Sequence, residues 1–322
     1  MKKVVILINA MGPDATPDEL DVLNQAGAVE VALHNLGHDT ERVFLEMNLE
    51  KAAERLRQLR PEFVFNLVES IDGSGKLIHL APSLLEHLGI PYTGVRSEAM
   101  YVSSNKTLAK LMLRQAKLPT PQWIDDLKHA RLKKNTRYIA KPVWEDASVG
   151  ITDSSVMPGD KKLLSAFLES NSRYRYFFEE YIEGREFNIS ILGGKKGPEV
   201  LPIAEIVFRD YPEGKPLIVG YEAKWHEDSF EYSNTVRSFG LEKEDPGLAR
   251  ALEKICRQCW ALFGLTGYSR VDFRVDGQGR PYVLEVNANP CLSPDAGFYA
   301  ASEQAGYNFN TIVERICEDV WR

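Results

Sequence analysis

The sequence predicts an α/β protein: an N-terminal unit on a parallel sheet, then a mixed α+β half rich in antiparallel strands. Three observations carry this. Residues 1–95 alternate short apolar runs with stretches of helical spacing, the pattern of strand–helix units around a parallel sheet. Residues 138–142 and 176–182 are strand-like runs, the first followed by a polar loop ending at Gly150. Residues 270–290 read as a hairpin of two apolar strands joined by Asp276-Gly277-Gln278-Gly279. A chain of 322 residues is long enough for two or three packed units.

Taken in order, Val4–Ile8 is an apolar strand, and Glu19–Leu36 has helical spacing and stops at Gly37. Thr40–Phe44 is a strand, and Glu50–Leu59 is a charged helix ended by Pro61. Glu62–Leu67 is a strand, Leu77–Leu88 a helix, and Gly89–Gly94 leads out. The segment from Asn66 to Gly75 lies at a strand's C-terminal end, where open α/β sheets bind ligands. A helix then starts at Ser104 and carries Lys106 and Lys110, and the chain turns at Leu118-Pro119-Thr120-Pro121. Strands follow at Tyr138–Pro142, Tyr176–Ile182, Phe187–Leu192 and Glu199–Phe208. Gly193-Gly194-Lys195-Lys196-Gly197 is a hairpin turn. Helices are expected at about 246–263 and 299–320, and there is no internal repeat or low-complexity linker.

The hairpin carries the chemistry. Arg270 and Asp272 are two apart on its first strand, Glu285 and Asn287 on its second. Side chains two apart share a face, so pairing the strands gathers four polar groups. Two carboxylates and an amide oxygen are hard ligands suited to Mg²⁺, which usually completes its shell with nucleotide phosphates. An adjacent arginine adds fixed positive charge for phosphate or a developing oxyanion. Lys141, ending a strand before Pro142 and a loop, offers a second point charge. The chain therefore reads as one that uses ATP.

Composition excludes several classes. Hydrophobic residues make up 44% and charged residues 26%, a globular balance, and the net charge of −7 gives no reason to expect a nucleic-acid backbone or an anionic membrane as partner. No apolar run is long enough to span a bilayer. The start, Met1–Ile8, lacks a cleavage site and reads as a buried strand of a cytoplasmic protein. Cys256 and Cys259 fall on the apolar positions of a helix, with no second pair close in sequence, so they belong to a core. Gly73-Ser74-Gly75-Lys76 fails as a Walker loop, since Leu77 follows the lysine and Ser70 stands where the first glycine belongs. No Gly-x-Gly-x-x-Gly follows a strand, and no histidines pair at a zinc spacing.

In this order the motifs resemble ATP-grasp carboxylate–amine ligases, and within them the D-alanine–D-alanine ligase branch, over nearly the whole length. The resemblance implies an ATP-grasp fold with a Rossmann-like N-terminal domain over residues 1–95, a central subdomain over 96–185 and a C-terminal subdomain over 186–322. It implies that Lys106 and Lys141 hold ATP phosphates under a mobile loop containing Ser148. It assigns Glu179, Glu180, Tyr181 and Ile182 to the hinge that reads adenine, Glu186 to the ribose and Leu284 to the nucleotide site. Lys224 and Arg270 become the catalytic cations, and Asp272, Glu285 and Asn287 the ligands of two Mg²⁺ ions, with Mn²⁺ as a substitute. The implied reaction activates a carboxylate as an acyl phosphate and couples it to an amine, releasing ADP and phosphate. The implied partners are small-molecule carboxylates and amines, and the implied assembly is a homodimer.

Departures from that branch concern the substrate. D-alanine ligases have Gly-Ser-Ser in the mobile loop, where this chain has Asp146-Ala147-Ser148, and a tyrosine after the lysine, where it has Trp225. Neither Ala147 nor Trp225 has a hydroxyl, so the serine–tyrosine–glutamate set of the branch cannot form; Glu19 lies near the glutamate's expected place. The branch's Ser-Leu pair after the metal ligands falls in Cys291–Gly297, where Asp295 either faces the site and suits an amine or caps the following helix. A site stripped of its shaping hydroxyls argues for different reactants. The expected function is thus an ATP-dependent ligase acting on an amino-acid or peptide carboxylate. D-alanine–D-alanine ligase itself and a phosphotransferase on the same scaffold are the alternatives.

Overall fold

The computed structural model describes residues 2–321. Its first sheet is parallel: β1 (Lys3–Asn9), β2 (Asp39–Leu45) and β3 (Phe63–Asn66) in the order β2-β1-β3. Val4 to Ile8 are fully buried, as a central strand covered on both faces requires. Helix Pro17–Asn35 packs Val22, Ala26, Val29 and Leu33 on one face of the sheet. Helices Leu49–Leu59 and Leu80–Leu88 pack Ala52, Leu56, Ala81 and Leu85 on the other. Helix Leu49–Leu59 ends at Arg60 in a left-handed conformation (φ 48°), because Pro61 disfavours a further helical residue.

The second sheet is antiparallel: β4 (Trp123–Ile124), β5 (Arg137–Pro142), β6 (Val156–Pro158) and β7 (Tyr176–Glu180), ordered β4-β7-β5-β6. Helix Lys161–Ser170 covers it through Leu164, which packs with Tyr138, Ala140 and Phe178.

The third sheet contains β8 (Gly184–Leu192), β9 (Glu199–Val200), β10 (Ala204–Phe208), β11 (Thr235–Phe239), β12 (Tyr268–Asp276) and β13 (Pro281–Asn287). Its main order is β11-β10-β8-β12-β13, with β9 paired to β8. Alternation divides its faces. Phe187, Ile189, Ile191, Val271, Phe273 and Val275 share a core with helices Ser97–Ser104, Lys106–Gln115 and Pro246–Phe263. Glu186, Arg270, Asp272 and Arg274 alternate with them on the polar face. Toward one end that face is covered by helices Gly297–Gln304 and Phe309–Glu318, where Leu192 and Tyr268 pack with Phe298, Ile312 and Ile316.

Several expected elements differ. The helix at Ser104 is two helices, Ser97–Ser104 and Lys106–Gln115, broken at Asn105, whose side chain accepts from the Leu108 N–H and so restarts the helix. The Glu199–Phe208 strand is split around Pro202, which has no N–H for a ladder. The C-terminal helix is split at Gly306, at φ 85°. The strand from Tyr176 stops at Glu180, leaving Tyr181 and Ile182 outside it. Strands β4, β6 and β11 have no counterpart in the sequence reading; the first two are only two and three residues long, too short to show alternation.

Gly184 opens β8 at φ +142°, and a Cβ there would collide with the Val275 carbonyl oxygen across the ladder. Gly184→Ala combines backbone strain with a clash against main chain that cannot rotate away. We expect it to destabilise the protein by about 3 kcal/mol, read as a lower urea midpoint at unchanged slope.

Candidate active site

The late hairpin pairs as its sequence suggests: Arg270 faces Asn287 and Asp272 faces Glu285 across β12–β13. A bulge between Asp272 and Phe273 then inserts Leu284, so that Phe273 pairs with Val283. Val283 and Val286 remain in the core below, while Leu284 and Glu285 are neighbouring half-buried residues. Strict alternation would have set Leu284 and Glu285 on opposite faces.

Arg270 grips Asp272 with both arms, Nε to Oδ1 at 2.7 Å and Nη2 to Oδ2 at 2.8 Å, and lies 3.9 Å from Glu285. Burial pushes Asp272 upward against the pull of Arg270. Glu285 behaves oppositely. Burial again pushes it up, but Lys106, Arg270, Lys141 and Lys224 together bring it down to about 2. One carboxylate is thus fully ionised in a field of four cations.

Among the described residues no group of three or more His, Cys, Asp or Glu is placed to hold a metal ion. The set here is two carboxylates and an amide: Asp272, Glu285 and Asn287, whose Oδ1 accepts the Asn289 N–H at 2.9 Å. All-oxygen donors of charge −2 fit Mg²⁺ or Mn²⁺ and do not fit zinc.

The opposing wall is a buried charge cluster. Lys110 and Glu179 are each 1% exposed and 2.5 Å apart, and Lys141 contacts the other Glu179 oxygen. Burial pushes Glu179 up, yet the two lysines outweigh it and hold the carboxylate below its usual range. For Lys110 burial wins, and the ammonium is pushed below the usual lysine range. Lys106 donates to the Glu145 carbonyl at 2.7 Å and to Asp146 at 2.8 Å, with Glu285 at 3.7 Å. The sequence reading put Lys110 on this helix but gave it no role, although it lies one helical turn from Lys106 on a face shared with buried Leu113. That placement of a second lysine was its signal.

The other expected residues divide. Glu180 pairs with Lys133 at 2.5 Å, and its N–H donates to the Gln122 carbonyl. The Tyr181 N–H is taken by the Arg137 carbonyl, and its hydroxyl donates to the Leu217 carbonyl at 3.2 Å. Among the described residues no acceptor meets the Ile182 N–H. Glu186 is buried against Arg274 at 2.8 Å, a partner absent from the sequence reading. Ser148 donates to the Val219 carbonyl at 2.7 Å. Lys224, on the short helix Glu222–Trp225, is pushed down by burial and by Arg270.

The family model described as D-ala D-ala ligase C-terminus matches residues 113–318. A D-alanine–D-alanine ligase of Moorella thermoacetica is 30% identical, covering 98% of this chain and 98% of its own. This chain belongs to the D-alanine–D-alanine ligase family. A second relative of that name, from Chromohalobacter salexigens, is 32% identical over 82% of this chain and 79% of its own. The fold agrees with the ATP complex of the D-alanine–D-alanine ligase from Bacillus anthracis (TM-score 0.76, 20% identity, 100% of this chain and 98% of that one). As a family member the protein is an ATP-dependent ligase forming peptide-type bonds, with ATP and a divalent metal as its requirements.

The residues expected at the substrate end make other contacts. The Trp225 indole N–H donates to the Ala147 carbonyl at 3.0 Å, so loop and short helix are tied through main chain where no hydroxyl pair exists. Ala147 and Ser148 both adopt positive φ, 54° and 63°, a cost of about 1 kcal/mol or more each that this tie and the Ser148 bond help sustain. The Tyr221 hydroxyl donates to Asp18 at 2.7 Å. Glu19 is a capping residue: its carboxylate accepts the Thr16 N–H at 2.9 Å. Asp295 does not cap the following helix, whose N-cap is Ala296 without a side-chain bond.

Asp21 and Gln25, to which the sequence reading gave no role, join the two segments it did single out. Asp21 accepts from the Ser293 hydroxyl at 2.8 Å and the Cys291 thiol at 3.0 Å. Gln25 donates to Glu69 at 2.7 Å and accepts the Leu292 N–H at 3.0 Å. Burial pushes Glu69 up to about 7, opposed by Gln25 and aided by Asp21. Glu69 lies in the segment after β3 expected to meet ligand, and Gly75 in the same segment donates its N–H to Glu145 of the loop.

Proposed function

We propose that this ligase activates the carboxylate of an amino acid or peptide and couples it to an amine, with at least one reactant other than D-alanine. The observation that carries this is the contrast within one cleft. The charged apparatus around Arg270, Asp272, Glu285, Lys106 and Lys141 is assembled, while the loop-to-helix tie runs through the Ala147 carbonyl and Trp225. Phosphoryl transfer depends on charge placement, so its parts are kept; side-chain recognition depends on hydroxyls, and those are replaced.

In this reading a substrate carboxylate oxygen attacks the γ-phosphorus of ATP as the bond to ADP breaks. The amine then attacks the acyl carbon, and phosphate leaves with the proton the amine loses. Two Mg²⁺ ions, replaceable by Mn²⁺, would be held by Asp272, Glu285 and Asn287 and supply charge neutralisation for the phosphates. Lys106 and Lys141 hold the phosphates from the opposite wall, and the Ile182 N–H donates to the adenine edge beside Glu180 and Tyr181. Glu186, oriented by Arg274, accepts from the ribose. Arg270 and Lys224 stabilise the developing oxyanion. The loop through Ala147 and Ser148 excludes water from the acyl phosphate. The resemblance also suggests a homodimer, which light scattering tests.

Phosphate release screened over pairs of amino acids and dipeptides with ATP and Mg²⁺ tests the reading. We expect ADP and phosphate in equal amounts with an amide product, and little turnover on D-alanine alone. Brisk turnover with D-alanine as sole amino acid would make the protein a D-alanine–D-alanine ligase. A stable phosphorylated product would make it a phosphotransferase.

A further inference from the structure

Behind the phosphate wall stands a lysine to which the reaction above gives no part. Lys110 lies one turn after Lys106 on helix Lys106–Gln115, yet the two ammonium groups meet different partners. Lys106 is engaged by the Glu145 carbonyl, Asp146 and Glu285. Lys110 is buried 2.5 Å from one oxygen of Glu179, and Lys141 contacts the other. Strands β5 and β7 pair with Ile139 opposite Glu179 and Lys141 opposite Phe177. Lys141 and Glu179 are therefore diagonal neighbours on one face of that sheet, and Lys110 reaches the same carboxylate from the helix. The Lys110 ammonium also donates to the Thr120 hydroxyl at 2.9 Å, which donates in turn to the Val283 carbonyl at 2.8 Å. The Val283 N–H is taken by the Pro119 carbonyl. Val283 belongs to β13, two residues before Glu285. A continuous polar chain thus runs from Val283 through Thr120, Lys110 and Glu179 to Lys141, joining the hairpin strand to the lysine of the opposite wall.

We infer that Lys110 is a positioning residue for phosphate binding: it occupies one oxygen of Glu179 and ties it to β13, which keeps the Lys141 ammonium available to the nucleotide. The inference rests on the reading above in which Lys141 holds ATP phosphates. An ionised carboxylate has two oxygens to offer, and an ammonium three donors. With one oxygen committed to Lys110, Glu179 meets Lys141 through the other alone, and two Lys141 donors are left over. Without Lys110 both oxygens can close on Lys141, which among the described residues is the only other cation in contact with Glu179. The counter-ion then draws the ammonium toward the sheet and cancels its charge where phosphate needs it. Thr120 supplies the fixed point, because its hydroxyl holds Lys110 to the strand that carries Glu285 and Asn287.

Calorimetric titration with a non-hydrolysable ATP analogue and Mg²⁺, and separately with adenosine, tests this without any amino-acid substrate. We expect Lys110→Met to weaken binding of the analogue about tenfold or more, and of adenosine by less than about threefold. In a Lys141→Met background the same substitution should cost less than about twofold, since Lys110 acts through Lys141. Unchanged affinity for the analogue, equal losses for analogue and adenosine, or the full loss repeated in the Lys141→Met background overturns the inference. Thr120→Val removes the hydroxyl with little change of shape, and it decides the matter if Lys110→Met does not fold. The expected result is a loss of about threefold or more for the analogue that disappears in the Lys141→Met background; no loss, or the same loss in both backgrounds, overturns the inference. If Lys141→Met by itself leaves the analogue's affinity unchanged, the assignment of Lys141 to phosphate fails and takes this inference with it. If Lys141→Met weakens binding and Lys110→Met does not, only the role of Lys110 is lost.

Discussion

Glu285→Gln abolishes turnover in a protein that still folds. The carboxylate is held ionised, at about 2, by Lys106, Arg270, Lys141 and Lys224. Neutralising it removes the charge of a proposed metal ligand and leaves Arg270 with Asp272, Lys106 with Asp146 and Lys141 with Glu179 as their contacting anions. Fixed charge at a phosphoryl-transfer centre commonly carries several kcal/mol, and we expect kcat to fall by about a thousandfold or more, about 4 kcal/mol. Glu285 is half-exposed at the end of a well-paired strand, so the far-ultraviolet circular dichroism should be unchanged. The residual rate should need more Mg²⁺ to saturate. A variant with normal kcat in limiting Mg²⁺ would remove Glu285 from the metal set.

Glu179→Ala is the substitution we expect to cost most stability. Glu179 is the counter-ion of two buried lysines, Lys110 and Lys141, and among the described residues no other carboxylate is in contact with Lys110. Removing one partner of a buried pair strands the other, at about 3–5 kcal/mol. The pH dependence follows from the directions of the shifts. Glu179 is depressed in the folded state, so its stabilisation is present above the ordinary carboxylate range and is lost as pH falls through the lower folded value. Wild type and variant should converge in acid. In the variant, burial of Lys110 has no Glu179 to oppose it. Its folded form sheds a proton more readily than its unfolded form, so the variant should regain stability as pH rises toward the ordinary lysine range. Urea unfolding across pH checks both limbs. A variant within about 1 kcal/mol of wild type at neutral pH would show that water or a backbone shift satisfies Lys110.

The hairpin was legible because its signal is local. Arg270, Asp272, Glu285 and Asn287 sit two apart on adjacent strands with a short turn between them, so period-two alternation and antiparallel pairing suffice to bring them together. The parallel sheet was legible for a similar reason, since β1 to β3 are runs of Val, Ile, Leu and Phe set between helices of clear spacing. The bulge at Leu284 was not legible, because nothing in Tyr282–Val286 marks an extra residue; it shows in the pairing of Phe273 with Val283. Nor was Glu179 as a counter-ion. Lys110 and Lys141 lie 69 and 38 positions before it in the chain, separations at which sequence carries no distance.

Read alone, the chain determined its class of chemistry: hard oxygen ligands, strand-borne cations and an order of motifs that together specify an ATP-using ligase. Spacings of two and four residues are geometry already, since the backbone repeats of strand and helix convert them into shared faces. Tertiary structure alone decided which side chains meet around the loop and the short helix. Trp225 reaches Ala147, Tyr221 reaches Asp18, and Gln25 links Glu69 to Leu292. Each of these contacts joins segments dozens to hundreds of residues apart, and only the packing of three sheets sets which of their side chains meet.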